Sequence, residues 1–207
     1  MSPTDHYLLF GVTISGNCYK PKLLMTQLGL PFRWIEIDMM QGETRSPDFL
    51  AKNPNGKVPL LQLPSGEYLS ESNAMLCYLA DGTSLLPNDR LTRARVMEWL
   101  FWEQYSHEPV IAVARFIALM LPPDHPRRGE LPALRERSTQ VLQVMASRLG
   151  DKPFLTGDQY TIADIALYAY THVAGDAGIS LDGHPNLQHW LGRVEQTPHF
   201  IPMLPKA

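Results

Sequence analysis

The stretch Asn53-Pro54-Asn55-Gly56-Lys57-Val58-Pro59-Leu60-Leu61, followed ten residues later by Glu71-Ser72, has the residue types of a site for a small peptide with two carboxylates. A Val58-Pro59 bond opening an apolar run is a place for a cis proline. Such a bond would hold the Val58 backbone N–H and C=O outward, unpaired within a sheet and open to an extended ligand. Glu71-Ser72 reads as the start of a helix. Its orphan N–H groups and partial positive charge, with the Ser72 hydroxyl, suit a carboxylate.

These residues need a scaffold, and the hydrophobic pattern supplies one. Tyr7 to Val12 reads as a strand, Tyr19 to Leu28 as a helix closed by Gly29, and Trp34 to Ile37 as a second strand. Two short apolar elements around a helix of about ten residues form a right-handed βαβ unit. Pro47 to Ala51 reads as a short helix. Val58 to Leu63 and Tyr68-Leu69 form a hairpin about Pro64-Ser65-Gly66, and Ser72 to Leu79 is a helix. The order βαβ, ββ, α is that of a thioredoxin-like domain, giving an α+β domain over residues 1–81. Residues 82–91 carry Gly82, Pro87, Asn88 and Asp89 and read as a linker.

Residues 92–207 read as an all-α domain. Thr92 is the expected N-cap of a long helix through about Leu119, kinked at Pro109. Leu131 to Leu149 is a second long helix with an apolar stripe, closed by Gly150. Thr161 to Asp164 opens a third with a capping-box variant, the Asp164 carboxylate reaching back to the N-cap amide.

The 207 residues are 44% hydrophobic and 19% charged, enough for a folded core. A net charge of -3 and dispersed basic residues give no electrostatic reason to expect nucleic acid or an anionic membrane as partner. Cys18 and Cys77 are the two cysteines, too few for a disulfide scaffold or a four-cysteine zinc site, and point to a reducing cytoplasm. The N-terminus lacks the basic and apolar regions of a secretory leader, and no run of about eighteen apolar residues suggests a membrane span.

Taken in order, Ser15 through Lys20, Asn53 to Leu61, Glu71-Ser72-Asn73-Ala74, Thr156-Gly157-Asp158 with Thr161 to Asp164, and Pro185 to Leu191 resemble the cytosolic, bacterial-type glutathione S-transferase family along nearly the whole chain. The resemblance implies a thioredoxin-like N-terminal domain that binds glutathione, a helical C-terminal domain that shapes a pocket for an electrophile, and a homodimer. Glutathione suits the peptide site above, since its cysteinyl backbone can pair with an extended segment while its carboxylates need separate anchors. Carried onto this chain, the family pattern makes Val58, beside Pro59, the partner of the cysteinyl backbone. It sets Glu71 on the glutamyl amino group, Ser72 on its carboxylate, and Lys57, with Thr44 or Arg45, on the glycyl carboxylate.

An unperturbed cysteinyl thiol has a pKa of ~8.5, so the protein must favour the thiolate. A hydroxyl or amide aimed at the sulfur from the start of the first helix would do so, aided by the helix dipole. Ser15 stands where the serine-type classes of the family place their catalytic hydroxyl; Asn17 or a backbone amide is the alternative, and Tyr7 lies early in the first strand. Ser15-Gly16-Asn17-Cys18 also reads like a CxxC motif whose first cysteine is replaced, which leaves Cys18 in the buried inner position.

Trp102, Tyr105, Arg115 and Phe116 are the candidates for a second-substrate pocket. His107-Glu108 is tempting for acid-base or metal chemistry, but adjacent helical residues point to different faces and no third ligand is evident, so no metal is expected. The expected function is conjugation of glutathione to a hydrophobic electrophile. A glutathione-dependent peroxidase or disulfide reductase on the same site, and a non-catalytic glutathione-binding protein, are the rival readings.

Overall fold

A computed structural model describes residues 6–204; residues 1–5, part of the segment read above for a leader, and 205–207 lie outside the described residues. The chain divides into two units, one running up to Asp81 and including the segment from Pro198 onward, the other Gly82–Thr197.

The first unit is built on strands β1 (Tyr7–Gly11), β2 (Phe32–Glu36), β3 (Leu60–Gln62) and β4 (Tyr68–Ser70) in the order β2-β1-β3-β4. β2 runs parallel to β1, β3 antiparallel to β1, and β4 antiparallel to β3. Two antiparallel steps make β4 parallel to β1. The ends at which β1, β2 and β4 finish and β3 begins therefore share one edge of the sheet.

Helix α1 (Gly16–Gln27) follows β1, the short α2 (Pro47–Leu50) precedes β3, and α3 (Ser72–Ala80) follows β4. Period-two alternation assigns the faces of the sheet. Phe10 packs on a cluster of Ile37, Phe49 and Leu60, joined by Val58 and Tyr68. Leu9, opposite Leu61, takes the other face, where α1 and α3 bury Leu23, Leu24, Met75 and Leu76. Each such leucine contributes about 1.5–3 kcal/mol relative to exposure. Gly11 permits the close approach of α1, because a Cβ there would lie 2.5 Å from Trp34 Cη2 and 3.0 Å from Cys18 Cβ. The C-terminal segment belongs with this unit rather than with the helices before it: Tyr19 donates to the Ile201 carbonyl at 2.6 Å, and Met203 is buried.

The second unit is helical: α4 (Arg90–Trp102), α5 (Glu108–Met120), α6 (Leu131–Leu149), α7 (Ile162–Thr171) and α8 (Pro185–Glu195). Its first helix differs from the sequence expectation at the N-cap. The N-cap is Asp89, whose Oδ1 accepts from the Thr92 amide at 2.8 Å, so Thr92 lies inside the first turn. Residues 90–120 are helical without a break, as the sequence suggests, and the disturbance ahead of Pro109 takes the form of a π-helical turn, Glu103–His107, that closes on a bond from the Glu108 amide to the Glu103 carbonyl. Pro109 brings no N–H to the carbonyl four residues before it, and the widened turn absorbs that missing bond. The residues read as a linker are tied into this unit, with Leu86 buried and the Leu85 carbonyl accepting from the Ile162 amide.

The expected capping box opens α7, and its acid joins three segments. Asp164 Oδ2 accepts from the Thr161 amide at 2.9 Å, while Oδ1 accepts from the Leu155 amide and from Trp190 Nε1, each at 2.9 Å. Burial pushes this carboxyl up to about 6, against the pull of its donors. Between about pH 4 and pH 6 the native state thus holds a proton that the unfolded chain has released. Stability should therefore fall as pH rises through that window, by about 3 kcal/mol for this group. Thermal unfolding of wild type and Asp164→Asn from pH 4 to pH 7 reads this as a gap that changes with pH; a constant gap would contradict it. Asp164→Ala, which leaves buried donors unpaired, should cost about 2 kcal/mol or more.

Candidate functional site

The shared edge of the sheet collects the predicted residues of the first unit. Ser15 follows β1, Thr44 and Arg45 follow β2, Lys57, Val58 and Pro59 precede β3, and Glu71 and Ser72 follow β4.

Ser15 is the N-cap of α1 in extended conformation, and its Oγ accepts from the Cys18 amide at 3.4 Å. Capping uses a lone pair of the oxygen, and the hydroxyl also meets the Cys18 sulfur. The residue is fixed by a turn in which its own amide donates to the Val12 carbonyl at 2.9 Å. Just before it, Thr13 donates to Glu36 from its amide at 2.9 Å and from its hydroxyl at 2.7 Å. Trp34 Nε1 donates to the same carboxylate at 2.6 Å. Burial works to raise the Glu36 carboxyl, but these donors from Thr13 and Trp34 hold it below the usual range. A single carboxylate at the end of β2 thereby fixes the loop that carries Ser15.

Cys18 has no exposed surface, and burial pushes its thiol up to about 11 despite hydrogen bonds with Ser15 and Val12. It is a packing residue. Tyr7 sits at the opposite end of β1 from Ser15, its hydroxyl pushed up by burial and by Tyr78.

The Val58-Pro59 bond is cis. The ladder of β3 begins at Leu60, and among the described residues no hydrogen bond uses the Val58 amide or carbonyl. The preceding turn is secured by the buried Asn53, whose Nδ2 donates to the Lys57 carbonyl at 2.7 Å, leaving the Lys57 side chain exposed. Arg45 packs on Gly56 and donates from Nη1 to the Asn55 carbonyl at 3.3 Å. Thr44 is buried beneath the loop.

Glu71 caps α3 with a φ of 68°, a left-handed conformation that non-glycine residues adopt under strain, and its side chain is exposed. Ser72 behind it is buried. Its Oγ donates to Asn17 Oδ1 at 3.4 Å, so the starts of α1 and α3 are joined by side chains. Lys20, absent from the sequence-based site, completes this junction, with Nζ donating to Ser72 Oγ and to Asn73 Oδ1, each at 3.4 Å. The signal was available in the sequence: Lys20 stands four residues after Gly16 and four before Leu24, on the buried stripe of α1.

The four second-substrate candidates do not form one group. Trp102 and Tyr105 line a depression of about 290 Å³ with Ser106, Val110, Arg137 and Gln140, and Tyr105 is 88% exposed. Arg115 is buried and donates from Nε to Asp176 Oδ2 at 2.8 Å, and Phe116 projects to the surface; neither lines that depression. His107 is buried with Nε2 2.9 Å from Thr171 Oγ1. Among the described residues, no cluster of three or more His, Cys, Asp or Glu could hold a metal ion, and no helix is long and apolar enough to cross a membrane.

Comparison with known proteins bears on the fold and the family. Residues 14–81 match the glutathione S-transferase N-terminal domain and residues 110–198 the C-terminal domain of the same family. The structure of a glutathione S-transferase from Pseudomonas fluorescens is 50% identical, covers 96% of this chain and 99% of its own, and superposes with a TM-score of 0.92. The disulfide-bond oxidoreductase YfcG of Escherichia coli is 30% identical over 92% of this chain and 91% of its own. A glutathione transferase from Burkholderia graminis, solved with two glutathione molecules bound per subunit, is 26% identical over 94% of this chain and 85% of its own, with a TM-score of 0.82. Two matching domains in order, on a thioredoxin-like α+β unit and an all-α unit, lead to one conclusion: the chain belongs to the glutathione S-transferase family.

Proposed function

We propose that the protein is a glutathione transferase that binds glutathione along the shared sheet edge and ionises its thiol through Ser15, with Asn17 assisting. The observation that carries this reading is the place of the Ser15 hydroxyl, which caps the N-terminus of α1 at the sheet edge where β3 begins. Lowering a bound thiol by about two pKa units requires roughly 2.7 kcal/mol. One hydrogen bond to a charged sulfur supplies about 1.5–3 kcal/mol and the helix terminus about 0.3–1 kcal/mol. The inert Cys18 leaves the thiolate of glutathione as the nucleophile.

In this reading Val58 pairs with the cysteinyl backbone beside Pro59, Glu71 takes the glutamyl amino group, and Ser72 with the α3 amides takes its carboxylate. Lys57, with Arg45 beside it, faces the glycyl carboxylate; the buried Thr44 supports the loop. The thiolate attacks an electrophilic carbon, forming the C–S bond as the leaving group departs with its electron pair, while the thiol proton passes to solvent. The protein would work as a cytoplasmic homodimer without a metal.

A second reading uses the same thiolate on sulfur or oxygen. Similarity to an enzyme named as a disulfide-bond oxidoreductase, and to a transferase solved with two glutathione molecules per subunit, favours it. The thiolate would attack a glutathionylated disulfide, forming glutathione disulfide and releasing the other sulfur as thiolate. With a peroxide the first products are a sulfenic acid and an alcohol, and a second glutathione condenses with the sulfenic acid and expels water. A non-catalytic binding protein would hold glutathione without ionising it.

Ultraviolet absorbance of the thiolate of bound glutathione against pH tests these readings. Wild type should ionise it well below the solution value, Ser15→Ala should lose most of that shift, and equal curves would pass the role to Asn17 or a backbone amide. Turnover with an aryl halide, a peroxide and a mixed disulfide then separates the two chemistries. Glu36→Ala should lower thiol ionisation several-fold in a chain that stays folded, because the Ser15 loop loses its anchor; an unchanged pH curve would remove that role.

A further inference from the structure

The depression of about 290 Å³ is formed by the helical unit alone, where the end of α4 and the π-helical turn face α6. Arg137, Gln140, Val141 and Val144 stand three or four residues apart on α6, so one face of that helix supplies them all. Trp102 and Ser106, four residues apart, answer from the other side. The indole of Trp102 is held in place before any ligand arrives. Its ring meets Trp99 edge-on, with centroids 5.3 Å apart and planes at 86°, and Trp99 Nε1 donates to the Leu155 carbonyl at 3.0 Å.

The charge of the depression is one-sided. Arg137 is the one charged residue among the described residues that line it, and its side chain is exposed. A smaller recess shares Trp102 and Val144 with the depression, but its carboxylate, Glu98, is already paired with Arg148 at 2.7 Å. Among the described residues Arg137 forms no ion pair.

We propose that this depression is a binding site for small aromatic carboxylates, with the ring against Trp102 and the carboxylate on the Arg137 guanidinium. The planar fork of an arginine matches a carboxylate with two parallel hydrogen bonds, and an indole face or edge gives a second ring a preferred contact. The Ser106 hydroxyl and the Gln140 carboxamide add neutral donors beside the cation. Small-molecule sites span about 300–1,000 Å³, so a volume at the bottom of that range selects a single ring on a short acid chain. Because the indole is already fixed, little side-chain freedom is lost there on binding. The site does not depend on glutathione, since every lining group belongs to the helical unit.

The test measures binding of 3-phenylpropionate and of its uncharged amide by calorimetry at low salt, without glutathione. Wild type should bind the carboxylate about fivefold more tightly than the amide, the scale of an exposed ion pair with good geometry. Arg137→Gln, at an exposed position, should bind both ligands alike by weakening the carboxylate alone. Trp102→Leu should weaken both several-fold and keep the preference. If that variant does not fold, hexanoate against wild type reads the same contribution of the ring, and should bind several-fold more weakly than 3-phenylpropionate. Wild type that binds neither ligand, or both alike, overturns the proposal, as does a preference that survives in Arg137→Gln. Binding that appears only when glutathione is added would assign the depression to the thiol chemistry and overturn it. Affinity that falls as protein concentration rises would show a second copy of the chain covering this face, and overturns it as well.

Discussion

The antiparallel strand β3, inserted between two strands that run parallel to each other, is the constraint on which the site depends. Helices start where the strands before them end, so parallel β1 and β4 deliver the N-termini of α1 and α3 to one edge of the sheet. The strand between them runs the other way and therefore begins at that edge, bringing Val58 and Pro59 with it. Two electropositive helix ends with an extended segment between them have the polarity that would suit an anionic peptide before any particular side chain is chosen. The side chains refine it. Glu36 fixes the approach to α1, Asn53 fixes the approach to β3, and the Asn17–Ser72 contact sets how far apart the two helix starts lie.

The helical unit is organised by a different kind of constraint. Asp164 is a buried carboxylate shared among the loop at Leu155, the start of α7 and the indole of Trp190 on α8. The Leu155 loop and the start of α7, close in sequence, converge with the more distant α8 on two oxygen atoms, and their geometry is specified by hydrogen-bond direction as well as by volume. The tendency of burial to protonate the group is the energetic cost of that arrangement.

Local chemistry made much of this legible in the sequence. The cis Val58-Pro59 bond, the capping box at Thr161 and Asp164, the α6 span and the βαβ-ββα order all follow from turn residues, caps and periodicity. What was not legible depended on choices among near neighbours or on tertiary partners. Asp89 and Thr92 are both good N-caps three residues apart, and the structure uses the carboxylate of the first to receive the amide of the second. Pro109 announced a disturbance, but whether a helix kinks or widens is decided by the packing of Glu103 and His107, which are buried. Lys20 was overlooked because a lysine invites the assumption of a solvated surface, and only the positions of Ser72 and Asn73, more than fifty residues away, show where its ammonium goes. The aromatic candidates on α4 and α5 scattered for the same reason: helical spacing gives the direction of a side chain without naming what it meets, as the Arg115 pairing with Asp176 illustrates.

Burying Cys18 against Gly11 also decides where sulfur chemistry can occur. With its thiol pushed up to about 11 by burial, Cys18 is held as the thiol at neutral pH. Peroxides and disulfides react through thiolates, so a thiol held protonated at this position would be a poorer target for oxidation than a bound, ionised ligand. A reagent and its container then differ in oxidisability while sharing one functional group. In the proposed reading, the loop that favours ionisation of the ligand's sulfur is the one beside which the Cys18 sulfur is buried as a thiol.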